Sequence, residues 1–412
     1  MPHEFATETS GYAWSAVTHM LGFEPLFESI ANEAAQRDVE RRLPRDRVAE
    51  LKAAGLGRLR LSREQGGAGL ALPDLFRLAR DLAYADSNIA HAFRNHFYAV
   101  EEALRAPSEP LYARLLREAA EGRTFGLGFG NAPPKRAGEA PSGVTGRLEW
   151  RAAQGFYVGS GIKPYSTGNL YADWLIGPAR ENREDKLVHY LASTSAPGVD
   201  LNDDWPGFGQ KLTGSGNTRF AEVQIQAGDI YPVPARAEYN GTWRYTFHQV
   251  YLTNAIAGIA RRIACDGVQL IHGRQRNFYH GQADMPRDEA VLQAQLGRIA
   301  AHAGALDAVI ERAILALAAA FDAYGSAQAD ALALAATLKA TEAKIVADDI
   351  APQLAGWLID LGSGSVVTIE GALDRHWRNI KVISSHNPRL YKERFLGDHL
   401  LNGVLPPTGA FF

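Results

Sequence analysis

The chain has 412 residues, of which 46% are hydrophobic and 22% are charged, the ordinary composition of a globular protein. The chain has 43 Lys and Arg residues and 46 Asp and Glu residues, and the resulting net charge of −3 excludes an overall basic field for nucleic acid. A single cysteine, Cys265, excludes a disulfide within the chain and a metal site built from cysteines.

The chain shows no sign of export or of a membrane span. Its first residues, MPHEFATETSGYAW, lack the basic segment and the apolar run of a signal peptide. The longest apolar stretches, such as ERAILALAAAFDAYG, are rich in alanine and too short and too polar at their flanks for a bilayer span. We therefore expect a soluble, cytoplasmic protein with no membrane partner.

Residues 24–120 have the pattern of amphipathic helices. Apolar side chains recur every three or four residues through residues 24–56 and again through residues 72–105. Asp86 and Ser87 are residues that favour a helix N-terminus, so they predict a break inside the second segment. A glycine-rich turn, RLRLSREQGGAGLA, separates the two helical segments.

The composition changes between about residue 124 and residue 232, where glycine, proline, threonine and aromatic residues become frequent. Five short segments with turn-forming residues between them are typical of β-strands: GRLEWRAA, GFYVGSG, ADWLIGPAR, KLVHYLAST and TRFAEVQI. These strands predict a small antiparallel barrel or sandwich.

Helical periodicity returns in three long segments at residues 246–280, 288–325 and 329–362, the last of which is predicted to end at Gly362. Because strands and helices do not alternate, the order of elements argues against a doubly wound nucleotide-binding fold. We predict a mostly helical α+β fold with three domains. These are an N-terminal helical domain (1–123), a central β domain (124–235) and a C-terminal helical bundle with a tail (236–412).

Common functional motifs receive little support. Three glycine-rich stretches, at residues 126–131, 159–161 and 214–216, lack G-x-G-x-x-G spacing and are interpreted as turns or as close approaches to a flat ligand. No histidine and acid are spaced to hold a metal, and no G-x-S-x-G motif is present. The stretch HGRQRNFYH at residues 272–280 is either a cationic helix end or a phosphate site.

Taken together, these features resemble the acyl-CoA dehydrogenase flavoprotein superfamily over nearly the whole chain. SREQGGAGL at residues 62–70 resembles the turn after the second helix of that superfamily. KPYSTGNLYADWLI at 163–176 resembles the strand segment that hydrogen-bonds the flavin, and WPGFGQKLTGSGNTRFAEVQI at 205–225 resembles the strand pair that follows. HGRQRNFYH lies where the superfamily has an arginine that reaches the flavin phosphate of a neighbouring subunit.

The resemblance implies a set of site residues. Thr167, with Ser166 beside it, would hydrogen-bond the flavin near N5, and Trp205 would either cover the ring or belong to the core. The candidate flavin-binding residues are Thr167, Trp205, Arg274, Arg276, Asn131 and Ser215. The candidate substrate-binding residues, from RNHFYAV and TFHQVY, are Asn95, His96, Tyr98, Phe247 and His248.

The C-terminal segment VTIEGALDRHWRNIKVISSHNPRLY departs from the superfamily pattern at one important position. Glu370, Arg375 and Arg378 keep the frame, but Asn387, preceded by His386, replaces the glutamate that removes the α-proton of an acyl thioester. An amide cannot accept a proton from carbon, whereas a histidine with a pKa near neutrality can donate or accept one. The candidate catalytic residues are therefore His386, Thr167 and Ser166.

This replacement, together with DDWPGFGQKLTGSGNTRF and NHFYAVE, resembles the branch of two-component monooxygenases related to dibenzothiophene monooxygenase and the sulfur-acquisition oxidoreductases. The resemblance implies that an NAD(P)H-dependent reductase supplies FMNH2 and that O2 forms a flavin C4a-hydroperoxide. One oxygen then passes to a small organic substrate, with an organosulfur compound favoured over nitrogen or aromatic carbon. A homotetramer is implied as well.

Two other interpretations remain open on the sequence. The chain could be an acyl-CoA dehydrogenase or oxidase with FAD, in which another acid such as Glu370 acts as the base. It could also be a scaffold that keeps the flavoprotein fold without catalysis. We expect no metal cofactor in any of these cases.

Overall fold

The computed structural model describes residues 14–133, 135–137, 143–233 and 242–407. The first thirteen residues, on which most of the signal-peptide prediction rests, lie outside these ranges, as do the predicted domain boundary at 235/236 and the last five residues of the tail. Every helix in the described ranges is too short or too polar to cross a lipid bilayer.

The N-terminal part is helical, as predicted. Its helices are α1 (Ala16–Met20), α2 (Glu24–Glu40), α3 (Arg45–Ala53), α4 (Leu72–Ala92), α5 (Arg94–Arg105) and α6 (Pro110–Ala120). The predicted break is present in α4, where Asp86 has extended torsion angles (φ −157°, ψ 109°) and its Oδ1 accepts a hydrogen bond of 3.0 Å from the backbone N–H of Asn88. Asp86 thus acts as an N-cap within the helix. A second break at Phe93, which separates α4 from α5, was not predicted.

The central part is a sheet that contains all five predicted strands. The strands are β1 (Phe125–Leu127), β2 (Arg147–Arg151), β3 (Phe156–Lys163), β4 (Trp174–Glu181), β5 (Leu187–Ser193), β6 (Val199–Leu201), β7 (Thr218–Gln226) and β8 (Ile230–Pro232). Their order is β6-β7-β3-β2-β4-β5-β8, and β1 pairs with β4. Most neighbouring strands are antiparallel, as predicted, but β4 runs parallel to both β1 and β2. Inward-facing side chains of five strands share one apolar cluster, so the sheet wraps around its own core.

The C-terminal part consists of α7 (Thr242–Gly273), α8 (Ala290–Asp322), α9 (Ala329–Gly362), α10 (Asp374–Ser384) and α11 (Arg389–Asn402). The helix predicted for residues 246–280 ends at Gly273, so that residues 274–280 are irregular, whereas α9 ends at Gly362 as predicted. A Cβ on Gly258 of α7 would lie 2.5 Å from the carbonyl oxygen of Arg80. Only glycine therefore allows α7 and α4 to pack this closely.

Three segments of the chain meet where the helical parts contact the sheet. They are the α4–α5 junction, the pair of loops before β4 and β7, and the corner between α10 and α11. The side chains of these segments form the candidate site.

Candidate functional site

Three polar contacts join these segments to one another. The amide nitrogen Nδ2 of Asn95, in α5, donates to the carbonyl oxygen of Thr167 at 2.8 Å. The backbone N–H of Gln210 donates to Oδ1 of Asn379, in α10, at 2.7 Å. Nη1 of Arg94 lies 3.5 Å from Nε2 of His386. The α4–α5 junction, the sheet loops and the α10–α11 corner are therefore held in one fixed arrangement.

A chain of buried hydroxyl groups lines the loops of the sheet. Oγ1 of Thr213 donates to the carbonyl oxygen of Gln210 at 2.9 Å, and it lies 2.6 Å from Oγ of Ser215. Ser215 in turn lies 2.9 Å from Oγ1 of Thr167. Because Thr213 uses its hydrogen on a carbonyl, the chain runs from Thr167 to Ser215 to Thr213. Thr167 and Ser215, both predicted as flavin ligands, are thus brought together, and Thr167 keeps acceptor capacity for a ligand.

Ser166 has a different place from its neighbour Thr167. Its Oγ donates to the carbonyl oxygen of Gly216 at 2.5 Å and accepts a hydrogen bond of 2.9 Å from Thr218. The side chain is only 1% exposed. The hydroxyl hydrogen of Ser166 is therefore already used to hold the two loops together, and of the predicted pair Thr167 has the capacity to bind a ligand.

His91 belongs to the site although the sequence reasoning did not select it. Its Nδ1 lies 2.9 Å from Oε1 of Gln210, whose amide nitrogen donates to Oγ of Ser87 at 3.0 Å. Oε1 must accept in this arrangement, so Nδ1 of His91 carries the proton and Nε2 keeps a lone pair. Nε2 is buried and has no hydrogen-bond partner among the described residues. Burial, together with the positive charge of Arg94, lowers the pKa of His91 to about 3.

His386 and Asn387 form the α10–α11 corner. An arginine can only donate, so Nε2 of His386 faces Arg94 with its lone pair and the neutral ring carries its proton on Nδ1. His386 is exposed, and partial removal of its ring from water, followed by the charge of Arg94, lowers its pKa well below the usual value. The near-neutral pKa expected from the sequence is therefore corrected. Asn387 is buried and donates from Nδ2 to Gln249, while its Oδ1 has no partner among the described residues.

The predicted substrate-binding residues divide into two groups. Tyr98 and His248 pack on each other with ring centroids 4.4 Å apart and are only partly buried. His96 is 1% exposed, contacts the carbonyl oxygen of Gly57 at 2.7 Å and stacks on Phe125. This position gives His96 a packing role in place of the predicted substrate contact.

Phe247 and Asn95 also differ from the prediction in what they touch. Phe247 is fully buried and packs edge-on against Phe76, with ring centroids 5.4 Å apart, so it belongs to the core of α4 and α7. The amide of Asn95 is used to hold the backbone of Thr167. Asn95 therefore positions a candidate ligand-binding residue.

The remaining predicted flavin contacts lie in other surroundings. Trp205 is half-buried and donates from Nε1 to the carbonyl oxygen of Gly209 at 3.1 Å. Asn131 is exposed at an isolated bridge to Val144. Nη1 of Arg274 donates to a carbonyl oxygen of α9 at 2.8 Å, and Arg276 is exposed. In the described ranges, no hydrogen bond joins these four side chains to Thr167 or Ser215.

The start of α10 carries a second charged group, the Asp266 cluster, which consists of Asp266, Arg262, Arg375 and His376. Oδ2 of Asp266 accepts from Nη2 of Arg375 at 2.9 Å and lies 2.7 Å from Nε2 of His376, while Oδ1 accepts from Nε of Arg262 at 2.6 Å. His376 is therefore part of an ion network that holds α10 against α7. Glu370, the alternative base, is exposed in the turn before α10. Across the described ranges, no group of three or more His, Cys, Asp and Glu side chains is placed to hold a metal ion.

The side chains at these three segments leave hydrogen-bonding capacity for a ligand. Nε2 of His91 and Oδ1 of Asn387 are buried acceptors without a partner among the described residues, and Oγ1 of Thr167 keeps acceptor capacity. Buried polar atoms are nearly always hydrogen-bonded in folded proteins, so these acceptors indicate a ligand that carries donors. The polar edge of a flavin presents such donors.

Comparison with protein families gives two matches along the chain. Residues 26–123 match the N-terminal domain of acyl-CoA dehydrogenase, and residues 251–388 match the C-terminal domain of acyl-CoA dehydrogenase. The two matched ranges contain the α4–α5 junction and the α10–α11 corner.

Curated proteins and solved structures add similar chains of nearly the same length. A dibenzothiophene monooxygenase of Mycolicibacterium goodii is 25% identical over 377 residues, which cover 87% of this chain and 88% of that protein. A probable FMNH2-dependent monooxygenase, SfnC, of Pseudomonas putida is 25% identical over 388 residues, covering 92% and 94%. The crystal structure of FMN-bound TdsC from Paenibacillus sp. A11-2 superimposes with a TM-score of 0.81 at 22% identity, covering 95% of this chain and 99% of that one.

Proposed function

The chain belongs to the acyl-CoA dehydrogenase family, and we propose that it is an FMNH2-dependent monooxygenase that uses O2 to oxygenate a small organosulfur compound. The α10–α11 corner carries this proposal. Where a dehydrogenase needs a carboxylate base, this chain has the buried amide of Asn387 and the neutral imidazole of His386. The amide cannot accept a proton, and an imidazole whose pKa is lowered this far is a poor base for a C–H bond, so oxygen transfer is the activity that this corner supports.

The nature of the cofactor follows from the relatives. SfnC is described as FMNH2-dependent, TdsC was crystallised with FMN, and the relative from M. goodii oxygenates dibenzothiophene by its name. FMN is therefore the cofactor of this chain rather than FAD. A chain that takes up reduced FMN needs a separate NAD(P)H-dependent flavin reductase, which we include in the proposal as its partner, together with a cytoplasmic location.

Bound FMNH2 would supply the two electrons with which one atom of O2 enters the substrate and the other leaves as water. Oγ1 of Thr167, which donates to Ser215, would accept a hydrogen bond from the N5–H group of reduced flavin. Nδ1 of His386 would donate a hydrogen bond at the oxygen that is transferred, and Nε2 would accept one from Arg94. Because His91 and Asn387 are buried, they would keep bulk water from the reacting atoms.

The subunit arrangement is a further part of the proposal. Arg276 is exposed beyond the end of α7, and no carboxylate in the described ranges is paired with it. An exposed guanidinium suits a phosphate, because it presents a planar fork of donors. Arg276 would thus bind the FMN phosphate of a neighbouring subunit, with the chain assembled as a homotetramer.

Dehydrogenation of an acyl thioester with tightly bound FAD receives no support from the site. Glu370 is exposed in a turn that precedes α10, whereas the corner that faces Arg94 lies after α10. Substitution of Glu370 by Gln should consequently leave the activity unchanged.

The experiment combines the purified protein with an NADH-dependent flavin reductase, FMN and O2, and screens sulfides, sulfones, sulfinates, amines and phenols by mass spectrometry. We expect a nearly colourless protein and a product heavier by one oxygen atom, with incorporation from ¹⁸O₂. A protein that is purified with stoichiometric yellow FAD, and whose colour is bleached by an acyl-CoA, would contradict the proposal.

A further inference from the structure

Arg94 differs from the other buried arginines. Four arginines are less than 9% exposed in the described ranges, namely Arg37, Arg80, Arg94 and Arg375. Arg37 is paired with Asp86 at 3.0 Å, Arg80 with Asp307 at 3.2 Å, and Arg375 with Asp266 at 2.9 Å. No carboxylate among the described residues is paired with Arg94, which is 8% exposed.

The donors of Arg94 are largely unused. Its one hydrogen-bond contact in the described ranges is that of Nη1 with Nε2 of His386, at 3.5 Å, which is the long end of the range. Nε is buried without any partner. The edge formed by Nε and Nη2 is thus left for a group with two acceptor oxygens, which a guanidinium binds through two parallel hydrogen bonds.

The charged neighbour of Arg94, Lys163, is itself a cation and so cannot act as its counter-charge. Burial lowers the pKa of Arg94 to about 10, so the guanidinium remains charged at neutral pH. Burial, and then the charge of Arg94, also lower the pKa of the half-buried Lys163, whose Nζ donates to a backbone carbonyl at 2.9 Å. A folded protein rarely keeps a buried cation without a counter-charge, because burial of an unpaired charge is destabilising. The missing counter-charge points to a ligand.

We propose that Arg94 binds the oxyanion of the substrate, so that this enzyme acts on organic anions such as sulfinates, sulfonates or carboxylates. The proposal rests on the proposed function and narrows its substrate class. Arg94 lies between His386 and Asn95, which holds Thr167, so a substrate anchored by its anion would place its adjacent atoms beside the catalytic groups. A neutral thioether such as dibenzothiophene would leave the charge of Arg94 unpaired.

The test measures binding in the absence of flavin, by isothermal titration calorimetry with two pairs of probes of similar shape. Methanesulfonate is compared with dimethyl sulfone, and benzoate with benzamide. We expect the wild-type protein to bind each anion about tenfold or more tightly than its neutral partner, since hydrogen bonds to a charged group contribute that much. Equal binding of anion and neutral probe by the wild-type protein would overturn the proposal.

Two substitutions at Arg94 separate its charge from its fork of donors. Arg94→Met should abolish the preference for anions, and Arg94→Lys, which keeps the charge but loses the two-point contact, should retain only part of it. Lys163→Met is the matched control, because it removes a neighbouring cation whose Nζ is already bonded to a carbonyl. An equal loss in Lys163→Met would mean that the general positive field attracts the anions, and would contradict a specific clamp at Arg94.

The outcome is distinguishable from failure of the proposed function. If anions bind in an Arg94-dependent manner but no probe is oxygenated with the flavin reductase present, the anion site stands and the monooxygenase proposal fails. If dibenzothiophene is oxygenated and the anions do not bind, the reverse holds. If Arg94→Met weakens binding of FMNH2 under anaerobic conditions and leaves the anion preference intact, Arg94 serves the flavin and the inference is overturned.

Discussion

The two ends of α10 hold buried charge in opposite ways. At its start, the Asp266 cluster places one carboxylate against two arginines and a histidine at 2.6 to 2.9 Å. Just beyond its end, His386 faces Arg94 at 3.5 Å with no carboxylate among the described residues. One end is a saturated ion network and the other is an unsaturated one, although both contain an arginine beside a histidine.

The pKa shifts express the same difference. Burial alone would raise the pKa of Asp266, yet Arg262, Arg375 and His376 lower it far below the usual value. At the other end, burial lowers the pKa of His386 and the charge of Arg94 lowers it further. The first end therefore stabilises the fold with its charges, while the second keeps one charge, that of Arg94, without a paired carboxylate among the described residues.

The largest expected effect is on stability at the start of α10. Substitution of Asp266 by Asn leaves the buried Arg375 and the partly buried Arg262 without a counter-charge, which should lower the free energy of unfolding by roughly 3–5 kcal/mol. The control is Asp374→Asn, because Asp374 pairs with Arg378 at 2.7 Å on the same helix but its side chain is 66% exposed. That control should lose less than about 1 kcal/mol. Urea denaturation measures both variants, and equal losses would remove the distinction between the two kinds of ion pair.

The next effect is on catalysis at the other end of α10. Substitution of His386 by Asn should cut product formation by ~100-fold or more, as expected for loss of a proton-handling group, while folding and FMN affinity stay largely intact. Hydrogen peroxide released per O2 consumed should rise. His302→Asn is the control, since His302 is a half-buried histidine of α8 whose Nδ1 contacts a carbonyl of its own helix at 2.8 Å and whose ring packs on Trp357. Coupled turnover at the wild-type rate in His386→Asn would exclude His386 from the reaction.

The sequence predicted the fold better than it predicted the site. Helix periodicity, the break at Asp86 and the five longer strands were recovered, because burial of alternate or every third to fourth side chain leaves a repeating pattern. The three-residue strands β1, β6 and β8 are too short to show such a pattern. The end of α7 at Gly273 was missed because the residues that follow, RQRNFYH, continue the same mixture of polar and aromatic residues.

The site was predictable only where a motif marked it. His386 and Asn387 were found because they replace a residue that the family resemblance assigns to catalysis. His91 and Arg94 were missed, although IAHAFR places both within an otherwise apolar segment, which was the available signal. Whether a buried arginine has a partner depends on α7 and α10, far away in the sequence, and no local pattern reports it.

Acid should weaken both ends of α10 and the helices around them. Burial lowers the pKa values of His96 and His376 to about 4 and that of His91 to about 3, below the ordinary value of 6.5. As the pH falls from 6.5 towards 4, these histidines become protonated in the unfolded chain but remain neutral in the folded chain. The free energy of unfolding therefore decreases in this window, by up to about 1.4 kcal/mol per pH unit for each histidine. A stability curve that is flat between pH 4.5 and pH 6 would contradict these shifts.

The smallest expected effect on stability is that of removing Arg94. Arg94 leaves no carboxylate behind when it is removed, so Arg94→Met should keep the free energy of unfolding within about 1 kcal/mol of the wild-type value or raise it. The same substitution removes a positive charge 3.5 Å from His386, and this should move the pKa of that histidine upward. NMR titration of the imidazole signals measures the shift, with His376 as the internal control, because its charged neighbours are Arg375, Asp266 and Arg262. A large loss of stability in Arg94→Met would mean that Arg94 is paired within the folded chain after all, and the contrast between the two ends of α10 would disappear.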